Sequence, residues 1–472
     1  MSNSSITSIS AYLENTLAGI AQAFPATVSQ QPARLAVAYS GGLDSSVLLH
    51  AVAQYAGAHG VQLFAFHIHH GISPNADQWQ SHCAEACARL GVVFDTRSIE
   101  LRNSDKNGVE EAARISRYAA LGDLCRQHQI PLLLTGHHLD DQAETVLLQL
   151  LRGSGAAGLS GMDRWNTAPT LLGDAVLLMA RPLLKVSRAA LEQYAAAQQL
   201  TFIEDESNHD PRYARNALRQ QVMPVLAQYF PGFQERFSRS AGHMQTTQRL
   251  LIDLAAQDMA VCADGACLDL EHVRQLSGER IDNLLRYWFG LHHLRMPSSA
   301  WLSEMRQQLL EAKADAQLCV THPDCHIRRH RNRVFLTPRD DVDRSEIEPQ
   351  AFHWNGEAEM RFPQFGGVLH FDQAEQGIAA DWLRAQPLQI QYRCGGERLK
   401  LALNRPTKSV KYHYQAFDVP PWERERLPLV SSGKQILFAA GIGMDCLQLA
   451  TEPGLHISLR WQADELLFKQ DI

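Results

Sequence analysis

One stretch of this chain, Ser40-Gly41-Gly42-Leu43-Asp44-Ser45-Ser46, places two glycines, three hydroxyls and one acid directly behind a short apolar run at 35–39. Adjacent glycines allow positive φ and a close backbone approach, so successive amide N–H groups can line an anion cavity. A helical pattern follows at 44–55, and its first amides and dipole would add further attraction for phosphate. Ser40, Ser45 and Ser46 can contribute hydroxyl donors. An acid at Asp44 fits among phosphates only with a cation between them, so a Mg²⁺ bridge is expected at Asp44. The GxxxxGK[ST] loop is absent, which separates this turn from the Walker type.

A second cluster, Thr135-Gly136-His137-His138-Leu139-Asp140-Asp141-Gln142-Ala143-Glu144-Thr145, follows another apolar run. On the helix expected there, Asp141 and Glu144 share a face, as do Asp140 and Glu144. Such carboxylates can hold an ammonium, bind Mg²⁺ or accept a proton; acids in a first turn also balance the helix dipole. His137 is a rival proton acceptor. In a third segment, Arg114, Arg117 and Tyr118 fall on neighbouring helical positions. These cations could stabilise charge growing on an α-phosphate, or form a solvated face paired with Glu110 and Glu111. Of His67, His69 and His70, at least one is expected to be structural. Towards the C-terminus, Arg393, Arg398, Lys400, Arg405, Lys408 and Lys411 face only Glu397 and are interleaved with Tyr392, Tyr412 and Tyr414. That mixture suits phosphate contact and base stacking, or a solvated basic edge.

The elements that must position these groups are legible as apolar runs at 35–39, 61–67, 92–99, 131–135 and 176–180, separated by helical patterns. Short continuous runs between helices imply a parallel sheet covered on both faces. The expected fold is α/β: a doubly wound, parallel five-stranded sheet, with its ligand at the carboxyl ends of the strands. A mostly helical middle domain and a small α+β C-terminal domain follow, dividing the chain into 1–215, 216–345 and 346–472. Pro224 and Pro231-Gly232 are expected to break the helical stretch at 216–249. The 472 residues, 45% hydrophobic and 20% charged, are ordinary for globular protein. A net charge of -7 gives no general attraction for nucleic acid, so RNA contact requires a local basic patch. Residues 1–10 lack a signal-peptide pattern, no apolar stretch approaches a membrane span, and nine dispersed cysteines form no CxxC pair; a cytoplasmic protein with reduced thiols is expected. His322, Cys325 and His326 come nearest to a zinc cluster, and a solvated loop is expected there instead.

The Ser-Gly-Gly-x-Asp-Ser pattern resembles that of the PP-loop ATP pyrophosphatases, which cleave ATP between the α and β phosphates. The resemblance extends to one family, the tRNA(Ile)-lysidine synthetases. It is carried by His67-Ile-His-His-Gly71, Glu111-Ala-Ala-Arg114-Ile-Ser-Arg117-Tyr118 and Gly136-His137-His138-Leu-Asp140-Asp141-Gln-Ala-Glu144-Thr145. Leu151-Arg-Gly-Ser-Gly155, Gly158-Leu-Ser-Gly-Met162, Arg181-Pro-Leu-Leu184, Glu204-Asp-Glu-Ser-Asn208 and Arg215-Asn-Ala-Leu-Arg219 continue it. Arg393-Cys-Gly-Gly-Glu-Arg398, Lys408-Ser-Val-Lys411, Val419-Pro-Pro-Trp-Glu-Arg-Glu-Arg-Leu-Pro428 and Ala440-Gly-Ile-Gly443 close it. Two departures stand out: His69 replaces a usual Asn, and Lys408-Ser-Val-Lys411 replaces a Leu-Lys-Lys-Leu-Phe run.

The resemblance implies ATP and Mg²⁺ as reaction partners, free L-lysine as the amine, and the isoleucine tRNA with anticodon CAU as the RNA. The wobble cytidine would be adenylated on its C2 oxygen, and the ε-nitrogen of lysine would then displace AMP. Carried onto this chain, residues 40–46 would bind ATP, and Asp44, Arg114, Arg117, His137, Asp141 and Glu144 would be catalytic. Asp141 and Glu144 would also hold lysine, one of them serving as base with His137 as the rival, while Arg215, Arg219, Arg393, Arg398, Lys400, Lys408 and Lys411 would bind tRNA. No membrane partner is implied, and a homodimer is left open. A PP-loop tRNA thiolase is the nearest alternative, but its chemistry uses reactive thiols, and Cys83, Cys87 and Cys125 fall in helical patterns where packing is expected. A small-molecule synthetase and a non-catalytic RNA-binding protein are further alternatives.

Overall fold

The computed structural model describes residues 2–24, 33–69, 71, 75–99, 109–204, 214–313, 318–339, 347–451 and 453–464, with backbone alone for 2–8 and 109–111. The chain forms two compact units, Met1–Leu254 and Ala255–Ile472.

In the first unit five strands run parallel: β1 (Arg34–Ala38), β2 (Gln62–His69), β3 (Val93–Ser98), β4 (Leu132–Leu134) and β6 (Leu178–Ala180). Their spatial order is β3-β2-β1-β4-β6, so the chain builds outward from β1 on one side and then crosses to the other. The switch point therefore lies between β1 and β4, where Val37 pairs with Leu134; a doubly wound sheet opens its ligand crevice at such a point. The three residues of β4 and of β6 are all buried, which explains the unbroken apolar runs. A sixth strand, β5 (Trp165–Thr167), pairs antiparallel with β6 at the sheet edge. Its short, partly polar sequence carries no strand signal.

The helices are α1 (Ser2–Ala23), α2 (Leu43–His59), α3 (Ala76–Leu90), α4 (Val109–Gln127), α5 (Leu139–Leu151) and α6 (Arg188–Ala197). The α1 helix, unannounced by the polar N-terminus, buries Ile9, Leu13, Leu17 and Ile20 in the main core, a single helical stripe. The α3 helix ends at Gly91 in the left-handed conformation, φ 65, as its sequence predicts. Pro224 does not break its helix. It lies in the first turn of Met223–Tyr229, behind a π-helical turn at Leu218–Val222, where a missing N–H costs nothing.

In the second unit, helices Gly278–Leu291 and Ser299–Glu311 pack with a five-stranded sheet that includes β10 (Cys325–His330) and β11 (Arg333–Pro338). The solvated loop expected at His322–His326 is thus corrected. Cys325 opens a strand and is fully buried, and His322 is 1% exposed. The His322 Nε2 lies 3.0 Å from the Arg295 carbonyl oxygen, and its ring packs against Phe289 and Trp301. The remainder holds antiparallel sheets of five and three strands around Trp354, Phe362 and Leu388. Among the described residues, no helix is long and apolar enough to cross a membrane.

Candidate active site

The turn after β1 is fixed by its own groups. Gly41 adopts φ +87, and a Cβ there would lie 2.6 Å from Ile203 Cδ1 and 2.9 Å from Cys83 Sγ, so no other residue fits without displacement. Gly42 caps α2 in an extended conformation. Ser45 Oγ donates to the Gly42 carbonyl at 3.0 Å and Ser46 Oγ to that of Gly41 at 3.3 Å. Ser40 Oγ lies 3.1 Å from Ser45 Oγ, and Leu43 is buried in the core. The hydroxyls of Ser45 and Ser46 thus brace the turn, and the first-turn amides of α2, which have no intrahelical acceptor, form an anion-seeking end.

The segment after β4 closes against this turn. A Cβ on Gly136 would stand 3.1 Å from the Asp44 carbonyl carbon and 3.2 Å from the Ser45 amide nitrogen, so glycine permits the contact. His138, which caps α5, is 1% exposed. Its ring nitrogens lie 3.6 Å from Asp44 Oδ2, 3.6 Å from Asp140 Oδ2 and 3.4 Å from Asp141 Oδ2. Burial alone would push this imidazole down, but Asp141, Asp140 and Asp44 outweigh it and hold the pKa up at about 10. Set among three carboxylates, His138 therefore joins this turn to α5. Asp44 Oδ1 is buried without a hydrogen-bond partner. An orphaned carboxylate oxygen beside an anion-seeking helix end suits one ligand of Mg²⁺, an ion that takes few protein ligands and completes its shell with phosphates and water. Among the described residues, no group of three or more His, Cys, Asp or Glu side chains is arranged to hold a metal by itself.

On α5, Asp141 and Glu144 do point together, and both are already paired. Arg219 donates to Glu144 Oε1 at 2.7 Å and Oε2 at 3.0 Å, and to Asp141 Oδ1 at 3.1 Å. Arg215 donates to Glu144 Oε2 at 2.8 Å and Asp141 Oδ1 at 3.2 Å. Asp141 Oδ2 accepts the His138 amide at 3.0 Å. Two guanidiniums thus neutralise two acids, of which Glu144 is 1% exposed. Burial opposes ionisation of Asp141, yet His138 and Arg215 bring its pKa down to about 2. The sequence reading gave Arg215 and Arg219 to RNA; their spacing of four, facing acids spaced by three, was the available sign of this lattice.

The other expected residues take varied places. His137 Nδ1 lies 2.9 Å from Thr135 Oγ1, and burial keeps the imidazole well below its ordinary pKa. Asp140 accepts the Arg188 amide at 2.8 Å and so anchors α6. Arg114 and Arg117 each set a guanidinium 5.5 Å from the Tyr118 ring. His67 is buried with Nδ1 3.0 Å from the Tyr39 carbonyl oxygen, a structural histidine. His69 lies 3.0 Å from Asp77. His70, the side chains of Glu110 and Glu111, and residues 205–208 lie outside the described residues. Sequence reasoning passed over His138 and chose His137. Both belong to one motif, and only the extended cap conformation turns the second ring inward.

In the second unit, Arg398, Arg405, Lys408 and Lys411 are exposed, whereas Arg393 and Lys400 are half-buried. The aromatic interleaving is narrower than expected. Tyr414 is fully buried and donates to the Ala440 carbonyl at 2.9 Å, and Tyr392 donates to that of Phe365 at 3.2 Å. Helical periodicity turns Tyr414 to the core and leaves Tyr412 outside. Cys83, Cys87 and Cys125 are buried, and burial pushes each thiol up to about 12.

Residues 13–226 match the model of the PP-loop domain, 268–335 the TilS substrate binding domain, and 388–461 the TilS substrate C-terminal domain. The chain is 40% identical over 443 residues to the tRNA(Ile)-lysidine synthase of Ralstonia nicotianae, covering 90% of this chain and 92% of that one. It is 39% identical over 467 residues to that of Burkholderia pseudomallei, covering 92% and 94%. To that of Alkalilimnicola ehrlichii it is 39% identical over 427 residues, covering 89% and 92%.

Proposed function

This chain belongs to the tRNA(Ile)-lysidine synthase family, and on that premise we infer that it is an ATP-dependent ligase that forms lysidine in tRNA. We further propose that its base is the wobble cytidine of the isoleucine tRNA with anticodon CAU, and that free L-lysine supplies the amine. The observation that carries this reading is the short bridge from an anion-seeking turn, through Asp44 and His138, to the buried acids of α5.

Direct attack at C2 of cytidine would have to expel an oxide, a very poor leaving group. In the proposed first step the C2 oxygen bonds to the α-phosphorus of ATP, the bond to pyrophosphate breaks, and pyrophosphate departs. The turn at 40–46 orients the polyphosphate, and Arg114 and Arg117 offset the charge growing on the α-phosphate. Mg²⁺ held by Asp44 would neutralise the phosphates when bound.

In the second step the ε-nitrogen of lysine bonds to C2, and the C–O bond breaks to release AMP with the former base oxygen. Free lysine, with a pKa of about 10.4, arrives as an ammonium. Asp141, held down to about 2, attracts that charge without taking its proton, and Glu144 shares its face of α5. We assign to neutral His137 the proton that the ammonium must lose before its nitrogen has a lone pair to attack C2; the second proton leaves the cationic adduct for water as the C–O bond breaks. Lysine must displace at least one guanidinium from the acids, and tRNA phosphate is the anion available to receive it. Arg215 and Arg219 can therefore hold the acids at rest and touch RNA during turnover.

Incubating the protein with ATP, tRNA and either labelled lysine or a labelled sulfur donor tests this reading. Lysine label entering tRNA is expected. Sulfur label entering instead would make the protein a thiolase, for which the buried, high-pKa thiols are poorly suited.

A further inference from the structure

A cavity of about 280 Å³ opens beside helix Val410–Ala416, walled by Leu401, Arg405, Lys408, Tyr412, His413 and Phe417 among others. Val410 and Tyr414 bury themselves in the local core, and His413 is pinned with Nε2 3.0 Å from the Leu399 carbonyl oxygen. The same helix therefore turns Tyr412 outward, 50% exposed, and ends on Phe417, 55% exposed. Two large rings left this open at one cavity mark a binding surface rather than a packing fault. The Lys408 Nζ stands 5.2 Å from the Tyr412 ring. Between 393 and 412 six cations face one acid, Glu397, and that acid is spent on its own turn, accepting the Cys394 and Gly395 amides at 2.6 and 2.8 Å.

We propose that this cavity seats one unpaired nucleotide of the RNA substrate, its base against Tyr412 and Phe417 and its phosphates against Arg405 and Lys408. Duplex RNA hides its base faces in the helical stack and offers phosphates, 2′-hydroxyls and base edges instead. Aromatic walls in an open basic cleft gain from a base whose faces are free. The proposal rests on the reading of the chain as a tRNA-modifying enzyme, and it adds a point of grip away from the acids of α5 in the sequence.

The test titrates the full-length protein with a single-stranded RNA tetranucleotide carrying one 2-aminopurine, and separately with a blunt RNA duplex. The wild type should quench the 2-aminopurine. Tyr412→Ala and Phe417→Ala should each weaken single-strand binding by about ten-fold with unchanged salt dependence, while Tyr412→Phe retains it. Lys408→Ala should flatten the salt dependence instead. Both rings are half-exposed, so the variants should fold, which the wild-type circular dichroism spectrum checks. Aromatic truncations that leave single-strand affinity within about two-fold, or that weaken duplex and single strand alike, would overturn the proposal. Wild-type protein that bound the tetranucleotide in this way yet put no lysine into tRNA would end the lysidine reading while supporting the cavity.

Discussion

Replacing Arg219 by Met keeps the hydrocarbon stem and removes the charge from the lattice on α5. Arg219 supplies two of the three side-chain donors to Glu144 and one of the two to Asp141 Oδ1. Stripping one partner from a buried ion pair costs about 3–5 kcal/mol. Arg219 is itself 34% exposed, so water softens the loss, and about 2–3 kcal/mol is expected. For a unit of this size that lowers Tm by roughly 4–12 °C. The same change leaves acids short of one cation, and lysine can supply it. At about one hundred times its Kd, lysine should return about 2.7 kcal/mol of stability to Arg219→Met, and much less to wild type, whose acids are already paired. Differential scanning fluorimetry with and without lysine, in the absence of tRNA, reads both effects. A variant as stable as wild type, or equal lysine shifts in the two proteins, would refute the reasoning that these acids are the ammonium site.

Three further outcomes follow from the geometry. Asp141→Asn should leave tRNA-dependent pyrophosphate release near wild type while slowing lysine transfer by about 100-fold or more; transfer at the wild-type rate would remove Asp141 from the role. Gly41→Ala forces a Cβ to within 2.6 Å of Ile203 at positive φ, so pyrophosphate release should fall steeply and Tm should drop by several degrees; an unchanged rate would show that the turn does not grip the nucleotide. Asp141, depressed from 3.8 to about 2, contributes stability present above pH about 4 and lost as pH falls towards 2, on the order of 2 kcal/mol. Raised His138 contributes stability fully present below about 6.5 and lost as pH rises through about 10. Unfolding titrations of Asp141→Asn and His138→Gln should lose the acid and alkaline slopes respectively, and slopes that persist would contradict the assigned couplings.

The parallel sheet was readable because its strands are buried on both faces and so write continuous apolar runs. The edge strand at Trp165–Thr167 escaped because Asn166 and Thr167 have no covered face to declare. Strand β10 escaped for the opposite reason. It alternates cleanly in burial, but one buried position is Arg329, whose guanidinium donates to the Leu309 and Ala312 carbonyls, and a buried arginine disguises the period. The glycine turn at 40–46 was legible since the groups that shape it lie within seven consecutive residues. The pairing of Arg215 and Arg219 with Asp141 and Glu144 was not, because it joins segments more than seventy residues apart and each half reads sensibly without the other. Similarly, the placement of the His138 ring against Asp44, Asp140 and Asp141 depends on one extended cap residue, φ -125 and ψ -177, which motif spacing does not encode.

In the proposed reaction ATP turns the base oxygen into a leaving group, which the amine then replaces. Isoleucine tRNA bearing ¹⁸O at C2 of the wobble cytidine, reacted with the protein, ATP and lysine and analysed by mass spectrometry, follows that oxygen directly. The heavy oxygen should appear in the phosphate of released AMP, one atom for each lysine incorporated. Heavy oxygen retained in the modified base, or released to water with unlabelled AMP, would contradict it.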